Sequence, residues 1–220
     1  MNKPVELVIF DCDGVLVDTE RLAVHMQIEI GADLGWILTP EEVVDHFMGK
    51  SEASVHAMVA ARLGTRSADV WHERNRAMHK VAIDTELTAV EGVVEALDAL
   101  DADGLPYCVA SSGPHEKMRH TLGRTGLWDR LEGRIYSATE VPRGKPAPDL
   151  FLHAARGMGC APEVCVVVED SQYGVQAARA AGMRSLGFAG GLSPAAWLAG
   201  EGTVLFDHMR ELPDAIRALG

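Results

Sequence analysis

The stretch VELVIFDCDGVLVDTE, residues 5–20, decides the fold. VELVIF (5–10) reads as a strand buried on both faces, because strands inside a parallel sheet are near-continuous apolar runs rather than alternations. It leads directly into Asp11 and Asp13, with Cys12 between them and Gly14 after. Residues two apart on a strand share a face. The chain is therefore expected to aim two carboxylates the same way at the end of a buried strand, where their repulsion costs stability. Carboxylates so placed need a proton or a cation to coexist.

Working outward, the same kind of run recurs at LPYCVAS (105–111), RIYSA (134–138) and VCVVVED (164–170), with weaker versions at MRSLGF (183–188) and VLF (204–206). Helical patterns lie between them. VVEALDAL (93–100) has apolar residues at helical spacing, and HEKMRHTLGRTGL follows Gly113-Pro114. APDLFLHAARGMG (147–159) and YGVQAARAAG (173–182) are alanine-rich and end near glycine. Strand and helix in alternation predict right-handed crossovers and an α/β fold with a doubly wound parallel sheet. Residues 19–87 break the rhythm with helical patterns at 21–36, 40–49, 52–64 and 68–83 and no strand between them. They are expected to form an inserted α-helical domain, with 1–18 and 88–220 making the Rossmann-like core.

Bulk properties narrow the function. The 220 residues suffice for a core plus a smaller insert. A formal net charge of -12 and the lack of a basic stripe disfavour a nucleic-acid partner. No apolar segment approaches the roughly 18 residues of a membrane span, and the start has no secretory pattern. Cys12, Cys108, Cys160 and Cys165 form no CxxC pair. They read as reduced thiols of a cytoplasmic protein, mostly core fillers. Cys12 should face away from the acids and into the core.

Open α/β sheets bind ligands at the carboxyl ends of their strands. Asp11 and Asp13 end the first strand. Ser111 and Ser112 end the second, just before a helix opens at Gly113-Pro114. Lys145 sits in RGKPAPD (143–149), after the third strand, and Glu169 and Asp170 end the fourth. All-oxygen ligands from few protein donors suit Mg2+, which keeps waters and shares a phosphate. Lys145 adds a point charge on a flexible stem, and the Ser111 hydroxyl with the following helix N-terminus suits a phosphate oxygen. The set matches phosphoryl transfer, which is mostly positioning and charge neutralisation. One carboxylate can attack phosphorus and the other can handle the leaving-group and water protons. The substrate class is then a small phosphorylated molecule.

DCDGVLVD (11–18), ASSG (110–113), GKPAPD (144–149) and VVVEDS (166–171) resemble the four motifs of the haloacid dehalogenase superfamily, in the family order. The resemblance implies that Asp11 is the nucleophile and Asp13 the general acid/base. It implies that Ser111 and Lys145, with Ser112 beside them, bind the phosphoryl group. Mg2+ would be held by Asp11, the main-chain carbonyl of Asp13 and Asp170, with Glu169 assisting through water. The insert would be a cap that closes over the substrate. Within the superfamily, β-phosphoglucomutases carry a histidine ten residues after the acid/base, where this chain has Ala23, and an arginine after the cap's G-x-S, where it has Glu52. Both departures favour sugar or sugar-acid phosphate phosphatases over a mutase, with a monomer as the expected state. A receiver-type phospho-accepting domain is the non-enzymatic alternative, but its acidic pair comes on the first strand rather than last.

Each residue also has a plainer reading. Ser111 and Ser112 could cap the next helix, Ser112 being the better placed, and Glu169-Asp170 could cap theirs. Gly49-Lys50-Ser51 imitates a phosphate loop, but Val44 stands where that motif needs its first glycine and no strand precedes it. Gly49 and Lys50 therefore remain only as candidates for substrate contact from the cap, against a solvated lysine.

Overall fold

The computed structural model describes residues 3–48, 50 and 52–219, so Gly49 and Ser51 lie outside the described residues. Among the described residues six strands build one sheet: β1 (Leu7–Phe10), β2 (Tyr107–Ser111), β3 (Ile135–Ser137), β4 (Cys165–Glu169), β5 (Arg184–Phe188) and β6 (Thr203–Phe206). All pairs are parallel and the order is β3-β2-β1-β4-β5-β6. This is the doubly wound order, with its switch point between β1 and β4. The two weakest strand expectations, β5 and β6, are both present. β3 stops at Ser137, the last residue paired with β2, because Ala138–Glu140 turn into a 3-10 helix that Ser137 opens in a capping box with Glu140.

The helices are α1 (Thr19–Asp33), α2 (Pro40–Phe47), α3 (Glu52–Leu63), α4 (Thr65–Thr85), α5 (Val93–Ala102), α6 (His115–Arg124), α7 (Trp128–Leu131), α8 (Asp149–Gly157), α9 (Gln172–Ala180), α10 (Ala195–Leu198) and α11 (Leu212–Arg217). None is long and apolar enough to cross a membrane, among the described residues. The chain divides into two compact units, Met1–Asp18 with Thr88–Gly220, and Thr19–Leu87.

In the sheet-bearing unit the strand period fixes which side chains meet. Leu7 and Ile9 of β1, Cys108 and Ala110 of β2, and Cys165 and Val167 of β4 point to one face. There they pack on Leu150, Phe151 and Ala154 of α8 and on Ala177 and Ala178 of α9. The small residues of α9 let it lie close to the sheet. Phe10 meets Tyr107 edge-on, with ring centroids 6.2 Å apart.

The helical unit owes its local order to legible signals. Thr39 caps α2 and Glu42 returns the bond in a capping box, with Pro40 at the first helical position. Trp36, Phe47 and Trp71 then form an aromatic cluster with centroids 5.4–6.0 Å apart. Gly31 makes room for it, since a β-carbon there would lie 2.6 Å from the Trp36 carbonyl.

The packing sets a graded expectation. Ile9 is fully buried at the centre of the sheet, whereas Val204 on the edge strand β6 is 44% exposed. Ile9→Ala should destabilise the sheet-bearing unit by about 2–5 kcal/mol. Val204→Ala should stay within about 0.5 kcal/mol. Urea unfolding followed by circular dichroism measures both, and equal losses would contradict this placement of the core.

Candidate active site

The sheet brings the predicted strand ends together at the switch point. Register pairs Phe10 with Val168, and the ladder runs one rung further through the Asp11 amide to the Val168 carbonyl, 3.0 Å. Asp11 and Glu169 therefore continue, on neighbouring strands, the rows of Ile9 and Val167, on the face that packs against α8 and α9. Lys145, from the loop that leads into α8, enters on that same face. Its ammonium donates to Asp11 Oδ1 at 2.7 Å and to Glu169 Oε1 at 2.6 Å. The Phe151 ring centroid lies 5.0 Å from Nζ.

Asp11, Glu169 and Asp170 are all buried and offer carboxylate oxygens within 4.8 Å of one another. Burial raises the Asp11 carboxyl from its ordinary 3.8 to about 7. Lys145 pulls the other way, and Glu169 and then Asp13 add to the rise. Burial also opposes the Lys145 ammonium, but Asp11 and Glu169 more than offset it and its pKa is raised. Three buried carboxylates at such spacing, two of them bonded to one lysine, form an oxygen donor set that fits a hard divalent cation.

Asp13 stands past the end of β1, in the turn that follows it. β1 ends at Phe10, and residues 12–17 form a tight turn in which the Gly14 amide bonds the Val17 carbonyl at 2.8 Å. Gly14 has φ 78°, a left-handed conformation that glycine adopts without strain. The strand period therefore does not by itself place Asp13, although its charge still adds to the rise of the Asp11 carboxyl. While Asp11 pairs with Lys145, Asp13 Oδ2 accepts from Lys117 Nζ at 2.7 Å. Cys12 is buried as expected, and burial, with Asp13 and Asp11 adding to it, pushes its thiol well above the ordinary value. That leaves it a core residue rather than a nucleophile.

The hydroxyl expectations divide. Ser111 is buried at the end of β2, and its Oγ accepts from the Gly113 amide at 3.1 Å. Ser112 is exposed and does not cap the helix, because α6 begins only at His115 with Pro114 at the cap position and no side-chain cap bond. The cap of α9 is likewise Ser171 rather than Glu169 or Asp170. Ser171 accepts from the Gly174 amide at 3.0 Å and donates through both its amide and its hydroxyl to Glu169 Oε2, each 2.9 Å. Lys50 belongs to the helical unit, where its ammonium donates to the Asp45 carbonyl at 3.1 Å.

Sequence reading missed Lys117, Ser137 and Gly174. Ser137 donates to the Gly113 carbonyl at 2.8 Å and so braces the loop after Ser111. Its signal was its place at a strand's carboxyl end. Lys117 stands in the first turn of α6, where a cation opposes the helix dipole, and that misfit was the available clue.

Two outcomes follow from this geometry. A β-carbon on Gly174 would fall on the Glu169 carboxyl group. Gly174→Ala, normally favourable inside a helix, should here destabilise by about 1–3 kcal/mol and weaken divalent-cation binding. Unchanged melting and cation titration would refute this. The raised proton affinity of Asp11 contributes stability that is full below about pH 3.8 and is lost as pH rises through about 7. Without divalent cations, the urea midpoint should therefore fall, relative to that of Asp11→Asn, between about pH 5 and about pH 8. Parallel pH profiles for the two proteins would contradict it.

Residues 8–188 match the family model described as haloacid dehalogenase-like hydrolase. The chain is 33% identical over 217 residues to a 6-phosphogluconate phosphatase of Escherichia coli, spanning 98% of this chain and 96% of that protein. It is 35% identical over 177 residues to hexitol phosphatase A of the same species, covering 79% and 78% of the two chains. A crystal structure of a HAD family hydrolase from Deinococcus radiodurans, with bound phosphate and sodium, superposes with a TM-score of 0.84 at 33% identity, covering 99% of this chain and 97% of that one. A match across most of the chain, with the motif residues gathered at one sheet edge, places this protein in the haloacid dehalogenase-like hydrolase family.

Proposed function

We propose that this enzyme is a Mg2+-dependent phosphatase that hydrolyses a small phosphorylated metabolite, a sugar or sugar-acid phosphate, through an aspartyl-phosphate on Asp11. The observation that carries the reading is the buried cluster of Asp11, Glu169 and Asp170, the first two bonded to Lys145. The phosphatases named among its relatives support the substrate class.

In this reading an Asp11 carboxylate oxygen attacks phosphorus while the bond from phosphorus to the substrate oxygen breaks. Asp13 delivers a proton to that departing oxygen. Asp13, now ionised, takes a proton from water as the water oxygen attacks phosphorus. The Asp11–phosphorus bond breaks, the carboxylate is restored and inorganic phosphate leaves. Lys145 and the Ser111 hydroxyl hold phosphoryl oxygens, and the uncapped start of α6, which follows Ser111 in the chain, would add main-chain amides. Asp11, Glu169 and Asp170, with the main-chain carbonyl of Asp13, would hold the cation. When bound, Mg2+ supplies positive charge against the phosphoryl oxygens and lets the acids stay ionised together. Ser171 and Gly174 keep Glu169 in place.

A panel of phosphorylated metabolites, read by free phosphate, tests the proposal. Sugar and sugar-acid phosphates should be turned over. Asp11→Asn should lower turnover on the order of 10³-fold or more. EDTA should abolish it and excess Mg2+ should restore it. Activity that survives both treatments would overturn the reading, as would conversion to an isomeric sugar phosphate with little free phosphate, the signature of a mutase.

A further inference from the structure

We propose that Lys117 is a positioning residue for Asp13, holding its carboxylate, from within the sheet-bearing unit, in the orientation that activates water. This rests on reading Asp13 as the acid/base. The contact is direct, 2.7 Å from Nζ to Oδ2, and partly buried, with the side chains 34% and 28% exposed. A carboxylate pinned through one oxygen has its plane fixed, and with it the direction of the other oxygen. The lysine is itself constrained. It projects from the first turn of α6, and its stem runs beside the loop before the helix, where a β-carbon on Gly113 would lie 3.3 Å from Lys117 Cδ. Ser137 braces that loop through the Gly113 carbonyl. An ammonium in the first turn opposes the helix dipole, so its placement needs a compensating anion, and Asp13 supplies one.

The two lysines of the site are divided between the two aspartates. Lys145 bonds Asp11 and Glu169, and Lys117 bonds Asp13. Both partners of the Asp13 pair belong to one unit. In the step concerned, a water proton passes to Asp13, the water oxygen bonds to phosphorus, and the Asp11–phosphorus bond breaks. If Asp13 is misaimed, phosphoryl transfer to Asp11 still proceeds from a donor whose leaving group needs no proton, and breakdown becomes slow.

p-Nitrophenyl phosphate with saturating Mg2+ is such a donor, and rapid acid quench with intact-mass analysis reads the phosphorylated protein. Lys117→Met should give a burst of p-nitrophenol equal to the enzyme present. Steady turnover should then be lowered about 10–100-fold, with KM falling alongside it so that kcat/KM changes little, and phosphoprotein accumulating. Lys117→Arg should recover part of the rate, and Lys117→Gln, which keeps much of the stem, should behave like Lys117→Met at a near-native melting temperature. Unchanged turnover would overturn the proposal. So would a slowed enzyme with no burst and no phosphoprotein, or a rise in KM alone, which would make Lys117 a substrate contact. Asp13→Asn run in parallel separates the layers. If it accumulates no phosphoprotein, the acid/base reading itself fails. If it does and Lys117→Met does not, only the role of Lys117 fails.

Discussion

The site is organised around one buried ammonium. Lys145 joins the end of β1 to the end of β4 by bonding Asp11 and Glu169 at once, with an aromatic ring beside it. Burying such a set is a poor way to gain stability, because removing the charges from water offsets most of their attraction, and apolar residues of similar volume often do as well. The surroundings are nevertheless built to keep it. Glu169 takes two bonds from Ser171, and position 174 has no side chain where one would displace the carboxylate. Groups held in so costly an arrangement, with perturbed proton affinities, are characteristic of chemical function rather than of packing.

The sheet explains why these groups meet. In a doubly wound order the first and fourth strands are neighbours whose following chains leave toward opposite faces, which opens a crevice at their carboxyl ends. The insertion of a whole helical unit just after β1 does not disturb this. Val17 bridges Ala89 in antiparallel fashion and the Asp18 amide bonds the Thr88 carbonyl at 3.0 Å, so the chain leaves and returns at one point. An insertion whose ends meet adds little constraint to the sheet it interrupts.

What the sequence disclosed follows from the same physics. Doubly buried strands cannot hide their apolar runs, so β1, β2 and β4 were plain, and the polar residues that end them were plain with them. Even β5 and β6, with weaker apolar runs at 183–188 and 204–206, were legible. The misreadings cluster where the chain leaves regular structure. The strand period cannot place Asp13, because the turn around Gly14 follows β1 directly. Ser112 looks like a helix cap only if the helix starts at Gly113, and proline delays it to His115. Lys117 and Ser137 act across 104 and 24 positions of the chain, on Asp13 and Gly113. No local pattern encodes such partners, because the folded sheet edge alone brings them together.

The separation of the two aspartates answers the problem posed by their proximity in sequence. Two carboxylates sharing one counter-ion would compete for it, and one would be driven to hold a proton regardless of the work required of it. The chain gives Asp13 a lysine of its own, Lys117, while Asp11 shares Lys145 with Glu169 and has its carboxyl raised to about 7. Asp11 stays on the ladder beside Glu169 and Lys145, where position relative to β4 is rigid. Asp13 moves into a glycine turn and takes its lysine from a helix that β4 does not touch through these bonds. A nucleophile must be fixed in line with the atom it attacks, whereas a group that gives a proton on one side and later takes one from water must address two oxygens in turn. If Asp11 attacks phosphorus and Asp13 handles the protons, as proposed, the ladder to β4 fixes the first and Lys117 orients the second.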